Sequence, residues 1–142
     1  AAATVSLNFT AVTVLSSFFI STYRGLPAVK KILNITSGAA DYVIQGASIY
    51  SATKAAVDMF TRTTAEEQKT REHPVICAAL SPGMVNTDMQ ERLRKASPGR
   101  LPGKEYYSQA LENGEVHTPA AAAGKVLEFL RSDFESGTVT HI

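Results

Sequence analysis

Tyr50 and Lys54 stand four residues apart in the run Tyr50-Ser51-Ala52-Thr53-Lys54. On a helix, four residues turn through about 400° and rise roughly 6 Å, so the two side chains share one face, one turn apart. A phenol with a pKa near 10 exchanges protons poorly at neutral pH. A neighbouring ammonium favours the phenolate. At about 4 Å and an effective dielectric of about 20, the attraction has an upper scale of roughly 4 kcal/mol, or about three pKa units. A tyrosine tuned in this way serves as a general acid or base. The spacing alone also suits an exposed helix pair that does no chemistry.

The surroundings narrow the choice. Asn34-Ile35-Thr36-Ser37 ends thirteen residues before Tyr50, and Ser81-Pro82-Gly83-Met84-Val85-Asn86-Thr87 follows a second apolar run. Singly, Ser37 reads as a turn residue and Pro82-Gly83 as a breaker. In an open α/β sheet, however, ligands bind at the carboxyl ends of the strands. Two strand ends and one helix start, in this order, converge on one cleft.

The elements that must position these residues are legible in the pattern. Residues 1–20 carry apolar side chains at near-helical spacing, although β-branched Thr and Val weaken a helix. Lys30 to Ser37 and Val75 to Leu80 are short apolar runs bounded by charge or by Ser-Gly and Ser-Pro-Gly, which predicts buried parallel strands. Ser48 to Gln68 is helical, with Ser48 as its N-cap. Residues 88–118 are irregular, with short helices near Met89–Lys95 and Glu105–Leu111. Pro119 opens a helix to about Leu130, and Thr138–Ile142 alternates like a last strand. Helices alternating with strands predict an α/β domain over residues 1–142, with a parallel sheet covered by helices.

Composition bounds the rest. The 142 residues are 44% hydrophobic and 19% charged, with mean hydropathy −0.03, as in a folded globular chain. The net charge of +1 argues against a nucleic-acid partner. Cys77 stands alone, so no internal disulfide forms, and it reads as a small buried hydrophobe. His73, His117 and His141 share no metal-ligand spacing, so no metal is expected. Ser, Thr and charges interrupt every apolar stretch, and no membrane-spanning helix is expected. Lys30-Lys31 reads as a solvated strand start.

These motifs together resemble the short-chain dehydrogenase/reductase family. The resemblance rests on Asn34-Ile35-Thr36-Ser37, Tyr50-Ser51-Ala52-Thr53-Lys54, Ser81 to Thr87, and Asn8 within Leu7-Asn8-Phe9-Thr10. It implies a Rossmann-like, doubly wound parallel sheet and a catalytic tetrad of Asn8, Ser37, Tyr50 and Lys54. Tyr50 would transfer the proton and Ser37 would orient the substrate carbonyl. Lys54 would bind the cofactor ribose and lower the Tyr50 pKa, and Asn8 would hold a water in the proton relay. Pro82, Gly83, Val85 and Thr87 would flank the nicotinamide. The resemblance implies a cytoplasmic enzyme that reduces a ketone or diketone with NADP(H) in preference to NAD(H). It also implies a homodimer through helices near 1–20 and 48–68.

A finer resemblance is to the sepiapterin reductase and benzil reductase branch. It rests on Asn86-Thr87-Asp88-Met89-Gln90, Leu127 to Leu130 and Asp133 to Gly137. The pterin-reducing members carry an acidic anchor where His141 stands here, so pterin reduction is not expected. The family's Gly-rich phosphate loop and the residues that select NAD or NADP have no counterpart in this sequence. The chain therefore reads as the C-terminal portion of the fold, without the first strands, and its sheet is expected to expose an edge. Two alternatives stand beside the reductase: the same chemistry run as alcohol oxidation, and a non-catalytic association module. Tyr106, Tyr107, Met84, Met89, Tyr42 and Ile44 are candidates for the substrate wall, and residues 88–118 for a lid.

Overall fold

A strand buried on both faces reads as an unbroken apolar run, because neither side meets water. Val75-Ile76-Cys77-Ala78-Ala79-Leu80 is such a run. In the computed structural model, which describes residues 1–142, it forms the central strand β2 (Val75–Ser81). β1 (Lys30–Ile35) and β3 (Val139–His141) flank β2, both parallel to it, in the order β1-β2-β3. The register pairs Lys30 with Val75, Ile35 with Leu80, and Ser81 with His141. Val75, Cys77, Ala78, Ala79 and Leu80 are each at most 1% exposed.

Parallel neighbours need crossover connections, and helices supply them. α1 (Ala2–Tyr23) precedes β1 and contains one wider π turn at Ser6–Thr10. α2 (Ser48–Gln68) joins β1 to β2. Between β2 and β3 lie α3 (Asp88–Arg94), α4 (Glu105–Glu112) and α5 (Pro119–Arg131). The arrangement is the expected α/β one, a three-stranded Rossmann-like portion with β1 at an open edge. In α5, the Thr118 hydroxyl accepts from the Ala121 N–H at 3.2 Å, and Pro119 occupies the first turn, where a missing N–H costs little.

α2 is fastened along β1 by buried polar contacts. Asn34 Nδ2 donates to Thr61 Oγ1 at 2.8 Å, and that hydroxyl donates to the Val57 carbonyl at 2.8 Å. Val57, Thr61 and Ala65 are buried on the same helix face. Cys77 is the expected small buried hydrophobe, and burial pushes its thiol up to about 11.

Three expectations are corrected. Ser48 is the first helical residue of α2 rather than its cap; Ala47 holds that position, and no side chain caps the helix. Lys30 is not solvated but buried, because its ammonium is satisfied inside the protein by the Leu26 carbonyl at 2.6 Å. Lys31 likewise donates to the Ser132 carbonyl at 2.7 Å and lies over the Phe134 ring. The third concerns α1, which is 22 residues long and contains an 18-residue stretch of mean hydropathy 1.6, long and apolar enough to cross a membrane. Its Ser and Thr residues interrupt the apolar runs without adding charge. Thr13 and Ser21 return their hydroxyl protons to carbonyls of their own helix, which lowers the cost of those groups in apolar surroundings. Here Phe19 and Ile20 pack on the core beside Ile32, whereas Leu7, Leu15 and Phe18 remain 67–73% exposed.

Candidate active site

The register sets the frame. Ile35 lies level with Leu80, so Ser37 and Pro82 leave neighbouring strands side by side at their carboxyl ends. The Thr36 N–H donates to the Leu80 carbonyl at 2.9 Å, which carries the pairing one residue past β1. Ser37 has extended backbone (φ −160°, ψ 149°), and its Oγ accepts from the Ala39 N–H at 3.2 Å, capping a 3-10 turn at Gly38–Ala40. The Ser37 hydroxyl accepts in this contact, so its own proton remains available to donate.

Tyr50 and Lys54 fall in the first two turns of α2, both half-buried. The Lys54 ammonium lies 5.8 Å from the centroid of the Tyr50 ring and donates to the Ile35 carbonyl at 2.9 Å. One cation therefore lies over the Tyr50 ring and holds the last residue of β1, two residues before Ser37. Burial lowers the Lys54 pKa from its ordinary value, and the Asp58 carboxylate pulls it back up.

Asn8 lies on the π turn of α1, a form of wide turn that concentrates at functional sites. Its Nδ2 donates to Thr53 Oγ1 at 3.2 Å, and Thr53 donates to the Tyr50 carbonyl at 2.7 Å. Asn8 is therefore linked through one side chain to the turn that carries Tyr50. With Lys54, Asn34 and Ile35, it also lines a groove of about 420 Å³ along the open edge of β1.

Residues 82–87 form a loop held from one side. The His117 N–H donates to the Met84 carbonyl at 2.8 Å, the Asn86 N–H to the His117 carbonyl at 2.9 Å, and Val85 makes a parallel bridge with His117. Gly83 has φ +71° and lies close to the Ile142 carbonyl, so a side chain there would be both strained and crowded. Thr87 caps α3 by position, but its hydroxyl makes no capping hydrogen bond. The loop after β2 thus offers an uncapped hydroxyl at Thr87 and a side-chain-free turn at Gly83, and the Lys54 ammonium lies at the carboxyl end of the neighbouring strand; groups of this kind suit the nicotinamide and ribose end of a dinucleotide.

Asp58 escaped the sequence reading. It stacks one turn beyond Lys54 on α2, which the four-residue spacing already signals, and is 3% exposed. Asp58 Oδ1 and Thr36 Oγ1 are both buried without a well-formed hydrogen bond. Burial raises the Asp58 pKa from its ordinary value; the Thr36 hydroxyl and Arg62 lower it, Asp41 raises it, and His141 lowers it. His141 Nε2 lies 3.1 Å from Asp41 Oδ2, so the histidine ties β3 to the loop that follows Ser37. Thr53, which links Asn8 to Tyr50, was likewise missed, because its role runs through a main-chain carbonyl that no motif displays.

A family model described as short chain dehydrogenase matches residues 1–98. The chain is 37% identical over 136 residues to a benzil reductase ((S)-benzoin forming) of Bacillus subtilis (strain 168), covering 96% of this chain and 56% of that protein. It is 32% identical over 135 residues to the sepiapterin reductase of Meriones unguiculatus, covering 93% and 49%. The chain thus spans about half the length of the curated relatives it matches. Among solved structures, the KRED1-Pglu enzyme superposes with a TM-score of 0.80 at 22% identity, covering 94% of this chain and 55% of that one. A 4-hydroxyisoleucine dehydrogenase complexed with NADH gives 0.74 at 22% identity, covering 96% and 54%.

Proposed function

We propose, given that this chain belongs to the short-chain dehydrogenase/reductase family, that the full-length protein reduces a ketone or diketone carbonyl, with Tyr50 as general acid. The observation that carries this reading is the position of Lys54, over the Tyr50 ring and bound to the Ile35 carbonyl two residues before Ser37. One ammonium then holds together the proton donor and the strand end that offers the carbonyl-binding hydroxyl. The substrate class draws support from the benzil reductase relatives, which match most of this chain.

Bound NADPH, preferred in this reading over NADH, would supply the hydride. The residues of this chain do the remainder. Ser37 donates a hydrogen bond to the carbonyl oxygen and fixes its orientation. As the carbon–oxygen π bond breaks and negative charge gathers on oxygen, the Tyr50 hydroxyl gives up its proton to that oxygen. The Lys54 ammonium stabilises the phenolate left behind and hydrogen-bonds the ribose. Asn8, through a water, returns a proton toward the tyrosine. Pro82, Gly83, Val85 and Thr87 would hold the nicotinamide, and the uncapped Thr87 hydroxyl would be available to hydrogen-bond it. Run in reverse, the same groups oxidise an alcohol, and the cofactor ratio sets the direction.

The test is turnover of an aromatic diketone by the full-length protein with NADPH and, separately, NADH. Consumption of reduced cofactor that depends on the diketone is expected, faster with NADPH. No turnover of any ketone or diketone with either cofactor would overturn the reading and favour an association module.

A further inference from the structure

The loop between Ser37 and Tyr50 ends in a close approach that the reaction does not explain. Gly46 has φ +83°, and a Cβ at this position would collide with the main-chain oxygen of Arg100 while touching Leu101 Cα at 3.6 Å. Gly46 lies four residues before Tyr50, in the turn closed by the Ala47 N–H on the Ile44 carbonyl. Ala47 then accepts the Ser51 N–H at 2.8 Å and starts α2. The opposing segment belongs to the connection between α3 and α4. It folds on itself through the Arg100 and Leu101 N–H groups on the Ser97 carbonyl, at 2.9 and 3.0 Å. Leu101 is 5% exposed although its neighbours are open to solvent. Directly after it, α4 brings Tyr107 half-buried beside Tyr106. Burial foremost, then the phenols of Tyr106 and Tyr50, raise the Tyr107 pKa.

We infer that Gly46 is a positioning residue for the carbonyl substrate: it is the seat on which the 97–101 segment docks, so that the wall formed by α4 is held against the turn that delivers Tyr50. The inference rests on the proposed reductase activity. The physical reason is backbone-to-backbone contact. Any side chain at 46 pushes the Arg100 carbonyl away, lifts Leu101 from its buried place and moves the α4 wall off the substrate. The nicotinamide side, built on residues 82–87 and Lys54, is left in place.

The molecule contains its own control. Gly103 has φ +82°, nearly that of Gly46, yet nothing lies within 4 Å of where its Cβ would be. Gly46→Ala and Gly103→Ala therefore both force an alanine to positive φ, and only the first disrupts the docking contact. In the full-length protein, Gly46→Ala is expected to raise KM for an aromatic diketone about tenfold with kcat changed less than about threefold, which is the signature of lost substrate binding. The Kd for NADPH is expected to stay unchanged, and Gly103→Ala should leave KM within about twofold of wild type. Tryptic cleavage after Arg100 should be faster in Gly46→Ala than in Gly103→Ala, a readout that needs no turnover. Leu101→Ala, which loosens the same contact from the other side, should repeat the KM rise and keeps the test available if Gly46→Ala does not fold. Equal KM and equal cleavage in the two glycine variants would overturn the inference. Faster cleavage in a protein that turns over no carbonyl would uphold the docking contact, remove its substrate role and refute the reductase reading instead.

Discussion

Lys54 Nζ donates to the Ile35 carbonyl at 2.9 Å while lying 5.8 Å from the centroid of the Tyr50 ring. The cation beside the proton donor is thus also the tie between α2 and the end of β1. Lys54→Met keeps the stem and removes both interactions. In the full-length protein it is expected to raise the Kd for reduced cofactor at least tenfold and to lower kcat by about 10² or more. Fluorescence titration of NADPH and turnover at saturating cofactor separate the two. A variant that binds cofactor and turns over like wild type would remove Lys54 from the site.

The buried pair Asn34–Thr61 locks α2 along β1. Thr61→Val keeps the shape but leaves the Asn34 amide without its acceptor. An unsatisfied buried donor costs about 1–3 kcal/mol. Urea unfolding is expected to show a lower midpoint at unchanged slope, with a loss in that range. A loss below about 0.5 kcal/mol would mean that the amide finds another partner.

Asp58 predicts a pH dependence of stability. Its folded pKa lies above the unfolded value of 3.8, chiefly because burial penalises the charge. Between those two values the folded state holds the proton more tightly, so stability falls as pH rises through the window. Asp58→Asn removes that fall. The stability of the variant relative to wild type is therefore expected to increase from pH 3.5 to pH 7, as measured by denaturant midpoints. A difference that stays constant with pH would contradict this.

Most of the scaffold was legible in the sequence, because its signals are local. β2 was marked by an apolar run between Pro74 and Pro82, α5 by Pro119, and α2 by the spacing of its small and apolar side chains. The Tyr50–Lys54 face and the strand-end position of Ser37 followed from those elements. What stayed hidden depends on tertiary contacts. The burial of Lys30 requires the Leu26 carbonyl to be within reach, and Asp58 acquires meaning only once Thr36 and His141 face it. The contact of Gly46 with Arg100 joins residues 54 positions apart through backbone alone. The length and hydropathy of α1 were misjudged because uncharged Ser and Thr were counted as interruptions.

We propose that the exposed apolar residues Leu7, Leu15 and Phe18 of α1 and Met59 of α2 pair with a second copy in a homodimer, Leu7 and Leu15 lining in addition the groove along the open edge of β1. A two-fold pairing would cover these residues in both copies at once. Light scattering of the full-length protein at micromolar concentration is expected to give twice the chain mass, and Leu15→Glu with Phe18→Glu to give the monomer. A monomeric wild-type protein would refute the pairing.

The assignment of Tyr50 as proton donor is tested most directly by Tyr50→Phe in the full-length protein. The substitution keeps the ring beneath Lys54 and removes only the transferable proton. Turnover of an aromatic diketone with NADPH is expected to fall by about 10² to 10⁴, with the Kd for NADPH little changed. A Tyr50→Phe variant that reduces the diketone at close to the wild-type rate would contradict the account.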